Sequence, residues 1–365
     1  MMSFPIQITP DKAIHELTEI NQKLVKGIEM LSELKEDDIQ VGTAPKEVVY
    51  REDKLKLYHF IPQVKKPFSV PLLFSYALVN RWMVADLQED RSLIRNLLKE
   101  GIDVYLIDWG DPSRMDRWLT LDDYVNTYLD NCVDFIREKH GLDKINILGI
   151  CQGGTIATCY TALHSEKVQN LVLTVTPIDF HADKEEENPD WGLLNVWARH
   201  LDIDPMIDAL GVVPAELLNF SFMLVRPMSL NVKKYTDMID IMDDKNKMMN
   251  FLRMEKWLNE GPDSAGEAYR QFVKDFFQKN LLVQGEVMLG DQKVDLGNIT
   301  VPVLNCFANQ DHLVPPKSTR ALAKYVGSKD YTELEIPAGH IGFYVSGKSQ
   351  KMLAPGIANW LKDRG

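Results

Sequence analysis

The apolar run Ile145-Asn146-Ile147-Leu148-Gly149-Ile150 passes directly into Cys151-Gln152-Gly153-Gly154, and a helix-compatible stretch, Thr155 to Leu163, comes immediately after. Few backbones accommodate this. A short apolar run that feeds a helix after so tight a turn is a strand of a parallel sheet. Glycines at 149, 153 and 154 are required because a Cβ there would collide with the neighbouring strand or helix. The turn pushes Cys151 beyond the sheet edge onto a helix N-terminus, where the dipole favours a thiolate. That is the setting of a nucleophile elbow. An isolated Gly-x-Cys-x-Gly reads equally well as a small buried thiol in a tight turn, so its meaning depends on partner groups further along the chain.

Two later segments supply the missing roles. Phe307-Ala308-Asn309-Gln310-Asp311-His312 puts a carboxylate just beyond a strand-like run, and Ile336-Pro337-Ala338-Gly339-His340 puts an imidazole just beyond the next. Nucleophile, acid and histidine, each on a loop at the carboxyl edge of a sheet, occur in the chain order expected of this architecture. Cys151, Asp311 and His340 are therefore the candidate catalytic residues. His312 competes with His340, but it adjoins the acid in sequence and is read as a structural neighbour. The remaining histidines, 15, 59, 140, 164, 181 and 200, have no comparable context. An oxyanion hole needs two backbone N–H groups. Gln152, after the nucleophile, is one candidate, and Val79, in the loop Ala77-Leu78-Val79-Asn80-Arg81, is the other, with Asn80 next; the loop also reads as an ordinary strand-to-helix turn.

Glu47 to Phe60 alternates apolar with charged residues, as in an antiparallel hairpin. Apolar runs recur at Pro71–Tyr76, Val104–Trp109, Ile145–Ile150 and Leu171–Thr176, separated by helical patterns at Leu93–Lys99 and Leu121–His140. Strand-plus-helix alternation returns at Val301–Phe307, Arg320–Val326, Tyr331–Ile336 and Ile357–Lys362. The expectation is an α/β-hydrolase fold: a mostly parallel central sheet with an inserted, mainly helical cap. Its parts are an N-terminal helical segment (1–40), a first core part (41–180), the cap (181–295) and a second core part (296–365). The cap is rich in Trp191, Trp197, Trp257, Phe222, Phe251 and Phe276, with eight methionines from Met206 to Met254. Such side chains either adapt to an apolar substrate or simply pack. Residues 11–35 repeat apolar positions at helical spacing (Ile14, Leu17, Ile20, Leu24, Ile28, Leu31), an amphipathic helix that packs on its own chain or docks a partner.

Composition excludes several functions. With 41 Lys and Arg against 53 Asp and Glu, the formal charge is −12, and no overall positive field exists to hold nucleic acid or an anionic membrane. Four cysteines without CxxC spacing argue against a zinc site or disulfide framework, so no metal and no separate cofactor is expected. The N-terminal residues lack the apolar stretch of a secretory signal, and the uncharged window Ile145–Ser165 is interrupted by glycines and amides. A cytoplasmic chain without a membrane span is expected.

Further motifs carry a family resemblance. GICQGGT around Cys151, LVNRWMVADLQ (78–88), IDWGDP (107–112), NFLRMEKWLNEGPDSAGEAYRQF (250–272), ANQDHLVPP (308–316) and GHIGFYVSGK (339–348) together resemble the catalytic subunit of polyhydroxyalkanoate synthases over nearly the whole chain. The short chain and the Cys-Gln-Gly-Gly elbow are most similar to the class III type, with class IV the nearer alternative. Both are two-component, whereas the single-chain synthases are longer at the N-terminus. The resemblance implies polymerisation of (R)-3-hydroxyacyl-CoA, above all 3-hydroxybutyryl-CoA, with release of CoA, which is part of the substrate. It implies that Cys151 is acylated, that His340 deprotonates it, and that Asp311 either orients His340 or helps activate the incoming hydroxyl. It also implies a homodimer of the catalytic chain, a second, non-catalytic subunit of the PhaE type, and work on a growing polyester at the surface of cytoplasmic granules. The alternative on the same residues is a Cys-dependent hydrolase of esters, lactones or thioesters.

Overall fold

A computed structural model describes residues 10–182, 198–225 and 233–365. Its contacts divide the chain into two units, Met1–Gln40 with Arg226–Lys256, and Val41–Val225 with Trp257–Gly365.

The larger unit is organised by one eight-stranded sheet. Its strands, numbered along the chain, are β1 (Lys46–Glu52), β2 (Leu55–Phe60), β3 (Leu72–Ser75), β4 (Val104–Asp108), β5 (Ile145–Ile150), β6 (Val168–Thr174), β7 (Val303–Ala308) and β8 (Tyr331–Ile336). They lie in the order β1-β2-β4-β3-β5-β6-β7-β8. The alternating segment forms the antiparallel hairpin at one edge, and β2 meets β4 antiparallel; every other pairing is parallel. Charge content decides position. Strand β5, without a charged residue, is buried along its whole length in the centre, while β8, carrying Glu333 and Glu335, is half exposed at the far edge.

Helices Leu93–Lys99, Asp130–His140, Gln152–Leu163 and Gly347–Lys362 flank the sheet. Ser92 caps the first by accepting from the Arg95 N–H, and Gly141, at φ 64°, closes the second in the left-handed region. Val133, Ile136, Ile156 and Tyr160 pack with Leu73, Ile147 and Leu171 in one core. Strand β6 starts at Val168, three residues before the run Leu171–Thr176, and ends at Thr174. It stops there because Val175 turns to φ 43°. Arg320–Val326, which alternates with the strands on either side, is largely helical: Pro316–Arg320 is α-helical and Ala321–Lys324 is 3-10.

Between β6 and β7 the larger unit contains helices Asp204–Leu210, Ala215–Val225 and Gly266–Gln271, a π-helical continuation Phe272–Gln278, and two-residue strands Val212–Val213 and Ser264–Ala265. Trp191 and Trp197 lie outside the described residues. In the smaller unit, helix Pro10–Glu33 packs so closely on the segment after helix Lys234–Ile239 that a Cβ on Gly27 would reach the Met242 side chain. Ile14, Leu17, Ile20, Val25 and Ile28 of that helix are exposed. Among the described residues no helix is long and apolar enough to cross a membrane.

The elbow glycines carry a direct test of this packing. A Cβ on Gly154 would overlap the Thr176 side chain, and one on Gly149 would overlap the Gly154 backbone. Gly154→Ala is expected to lower stability by about 1–3 kcal/mol through overpacking, read as a fall in the thermal unfolding midpoint; an unchanged midpoint would contradict the close approach.

Candidate active site

Cys151 occupies the turn between β5 and helix Gln152–Leu163 with φ 52° and ψ −123°. Such a backbone is costly for a residue with a Cβ, so its neighbours must hold it. The Cys151 N–H donates to the Thr174 carbonyl (3.0 Å), and the Cys151 carbonyl accepts from Gly154 (2.8 Å) and Thr155 (3.3 Å). The side chain is partly exposed, whereas Cys132, Cys159 and Cys306 are buried. Burial pushes all three of those thiols up, Cys159 to about 12, which leaves them without thiolate character.

Asp311 and His340 sit on the loops after β7 and β8. The His340 Nδ1 donates to Asp311 Oδ2 (2.7 Å), and Cys151 is near enough to His340 to favour its cation. Asp311 Oδ1 accepts from the amides of Leu313 and Val314, each at 2.9 Å. Both carboxylate oxygens are thus engaged. The side chains of His340 and Asp311 are only 7% and 1% exposed. Burial, the strongest influence on His340, disfavours its cation; Asp311 and then Cys151 outweigh it through charge and hydrogen bonds and lift it to about 10.

The Gln152 side chain fastens the loop after β3, its Oε1 accepting from the Leu78 N–H (2.9 Å). That commits the Leu78 amide. Asn80 then turns into the left-handed region at φ 59°. Val79 and Gln152 both line a cavity of about 120 Å³ that reaches Cys151. As a residue of a helix's first turn, Gln152 has an N–H with no partner inside the helix. Leu218, Phe222, Tyr269, Phe272 and Val273 of the inserted segment complete an apolar wall.

His312, expected to be a structural neighbour of the acid, lies on the cavity wall itself. Sequence reasoning passed over Tyr76 and Tyr344. Both are buried beside Cys151; burial raises both phenols and the cysteine's charge raises them further. The only sequence signal was the position of Tyr344 inside GHIGFYVSGK, four residues after His340.

A mostly parallel sheet with a nucleophile elbow, an acid after β7 and a histidine after β8 defines the α/β-hydrolase fold. A family model for the alpha/beta hydrolase fold matches residues 71–346. Solved structures agree on the fold. A putative lipase from Sulfolobus solfataricus superposes with a TM-score of 0.54 at 14% identity, covering 88% of this chain and 99% of that one. The monoacylglycerol lipase of Paleococcus ferrophilus gives 0.51 at 16% identity, covering 86% and 100%.

Sequence relatives narrow the class. The model of the poly-beta-hydroxybutyrate polymerase (PhaC) N-terminus matches residues 12–97. The poly(3-hydroxyalkanoate) polymerase subunit PhaC of Allochromatium vinosum is 53% identical over 363 residues, covering 99% of this chain and 100% of that one. Its namesake in Synechocystis is 52% identical over 365 residues, covering 100% and 96%. The chain belongs to the PhaC family of poly(3-hydroxyalkanoate) polymerases.

Proposed function

We propose that the chain polymerises (R)-3-hydroxyacyl groups, chiefly 3-hydroxybutyryl, from their CoA thioesters through a covalent thioester on Cys151. The observation that carries this reading is a partly exposed cysteine at the elbow, near a buried histidine whose Nδ1 is bound to Asp311. A thiolate attacking a thioester exchanges one C–S bond for another at little energetic cost. The Cys151 sulfur bonds to the acyl carbon, the bond to the CoA sulfur breaks, and CoA leaves with the proton from His340. The 3-hydroxyl of the next unit then attacks the enzyme thioester, His340 takes the hydroxyl proton, and the Cys151 thiolate is released. The lengthened chain, now a CoA thioester, returns to Cys151 by the first step. Asp311 acts by orienting His340, since both its oxygens are already hydrogen-bonded.

The oxyanion of each tetrahedral intermediate is received by the N–H groups of Gln152 and Val79. The cavity supports a short acyl unit: about 120 Å³ is close to the ~150 Å³ site that holds a benzene ring, and 3-hydroxybutyryl has as many heavy atoms as benzene. An apolar wall also disfavours water, whose attack would end the chain. The catalytic chain works as a homodimer with a second, non-catalytic subunit of the PhaE type, at granule surfaces in the cytoplasm. In support, the Allochromatium and Synechocystis relatives are each called a subunit of the polymerase, and the exposed apolar residues of helix Pro10–Glu33 offer one face for a partner.

Incubation with 3-hydroxybutyryl-CoA, with and without that second subunit, tests the reading. CoA release accompanied by insoluble polyester, faster and without a lag in the complex, is the expected result. Free 3-hydroxybutyrate as the sole product would instead make the chain a thioester hydrolase.

A further inference from the structure

A chain of buried hydroxyl groups links the segment that carries the base to the turn that carries the nucleophile. Tyr344 lies in the short helix Gly342–Val345 and is almost wholly enclosed. Its hydroxyl is 2.9 Å from Thr174 Oγ1 and 3.4 Å from the Thr174 carbonyl. Thr174 Oγ1 donates to the Gly149 carbonyl (3.0 Å), so the Tyr344 hydroxyl is the donor to Thr174 Oγ1. The Thr174 carbonyl in turn accepts the Cys151 amide (3.0 Å). One threonine therefore grips the elbow on both sides of Ile150, through Gly149 and through Cys151, and Tyr344 holds that threonine.

The grip is placed where the backbone needs it. Cys151 at φ 52° and Val175 at φ 43° are both left-handed, and a β-branched residue there is a genuine outlier. Such conformations persist only where the surroundings over-determine them. The Val175 N–H bond to the Cys306 carbonyl (2.9 Å) fixes one side of the strand end, and Tyr344 fixes the other. Packing alone would be served by phenylalanine, which is the residue next door at Phe343. The hydroxyl is the part of Tyr344 that packing leaves unexplained.

We propose that Tyr344 is a positioning residue, which through Thr174 sets the spacing of His340 and Cys151 and hence the ease of proton exchange between them. This rests on the pairing of Cys151 with His340 in the proposed function. It does not rest on the identity of the acyl substrate.

The test uses the full chain with Y344F, T174V and T174S. The rate of Cys151 alkylation by iodoacetamide is followed against pH without any acyl-CoA, alongside kcat and KM for CoA release. A displaced imidazole supports the thiolate less well, so Y344F is expected to shift the alkylation profile to higher pH. It is also expected to lower kcat by roughly tenfold to a hundredfold, the scale of a small misplacement, with KM unchanged. T174V should behave in the same way, the double variant no worse than either single one, and T174S, which keeps the hydroxyl, like the wild type. Should Y344F fail to fold, the T174V and T174S pair carries the test. Wild-type alkylation and kcat in Y344F, or T174S as impaired as T174V, would overturn the proposal. So would an alkylation profile unmoved by H340Q, because the pairing itself would then be wrong. Shifted profiles in a chain that makes no polyester would uphold the brace and remove only the polymerase reading.

Discussion

Cys151→Ala is expected to abolish CoA release from 3-hydroxybutyryl-CoA, by a factor of ~10⁴ or more, while the variant unfolds at nearly the wild-type temperature. The size follows from removing the atom proposed to form the covalent bond. The intact fold follows from geometry. Cys151 stands at the tip of a turn with its side chain partly exposed, and the turn is held by backbone bonds to Thr174, Gly154 and Thr155 that alanine can also make. Cys132, Cys159 and Cys306 reverse the pattern. Each is buried, with its thiol pushed up by burial, so replacement by Ala should cost stability through a cavity and leave turnover in place. The comparison is decided by CoA release and thermal unfolding measured on all four variants. An inactive Cys159→Ala beside an active Cys151→Ala would mean that the elbow is not the nucleophile.

The parts legible in the sequence are those where local pattern and tertiary role coincide. Strands β5 and β8 occupy the runs Ile145–Ile150 and Tyr331–Ile336, because each is bounded by turn residues and has no competing helical period. Asp311 and His340 were visible for the same reason: a chemical group directly after a strand has few places to go. Strand β6 was misjudged at its start, because Gln169 and Asn170 interrupt the apolar run although Asn170 is buried and bonded to Asn146. The cavity wall was legible only in Phe222, one of the aromatics that mark the inserted segment. Leu218 and Val273 look like any packed apolar residue, and only the tertiary fold brings them to the cavity that Cys151 lines. Tyr344 was hidden in the same way, since its hydrogen-bond partner Thr174 is 170 positions away in sequence. The left-handed Val175 contradicts local preference altogether, and sequence patterns report preferences. Conflicts of that kind gather at functional sites.

His340→Gln is expected to slow acylation of Cys151 by about 10²–10⁴-fold, the range of a lost general base, in a single-turnover measurement of the CoA burst. Glutamine can still donate to Asp311, so the loop after β8 keeps its anchor; what disappears is a group able to take and return a proton. Stability against pH gives an independent reading of the same residue. His340 is held well above its ordinary value of 6.5, at about 10, by Asp311 and Cys151 against the opposing effect of burial. Between those two values the folded chain binds more protons than the unfolded chain, so this group's contribution is complete below pH 6.5 and is lost as the pH rises through about 10. The glutamine variant has no such contribution. The wild-type advantage in unfolding temperature is therefore expected to be largest near pH 6 and to shrink steadily toward pH 10. An advantage that grows with pH would mean that His340 is held neutral in the folded chain, contrary to the effect of Asp311.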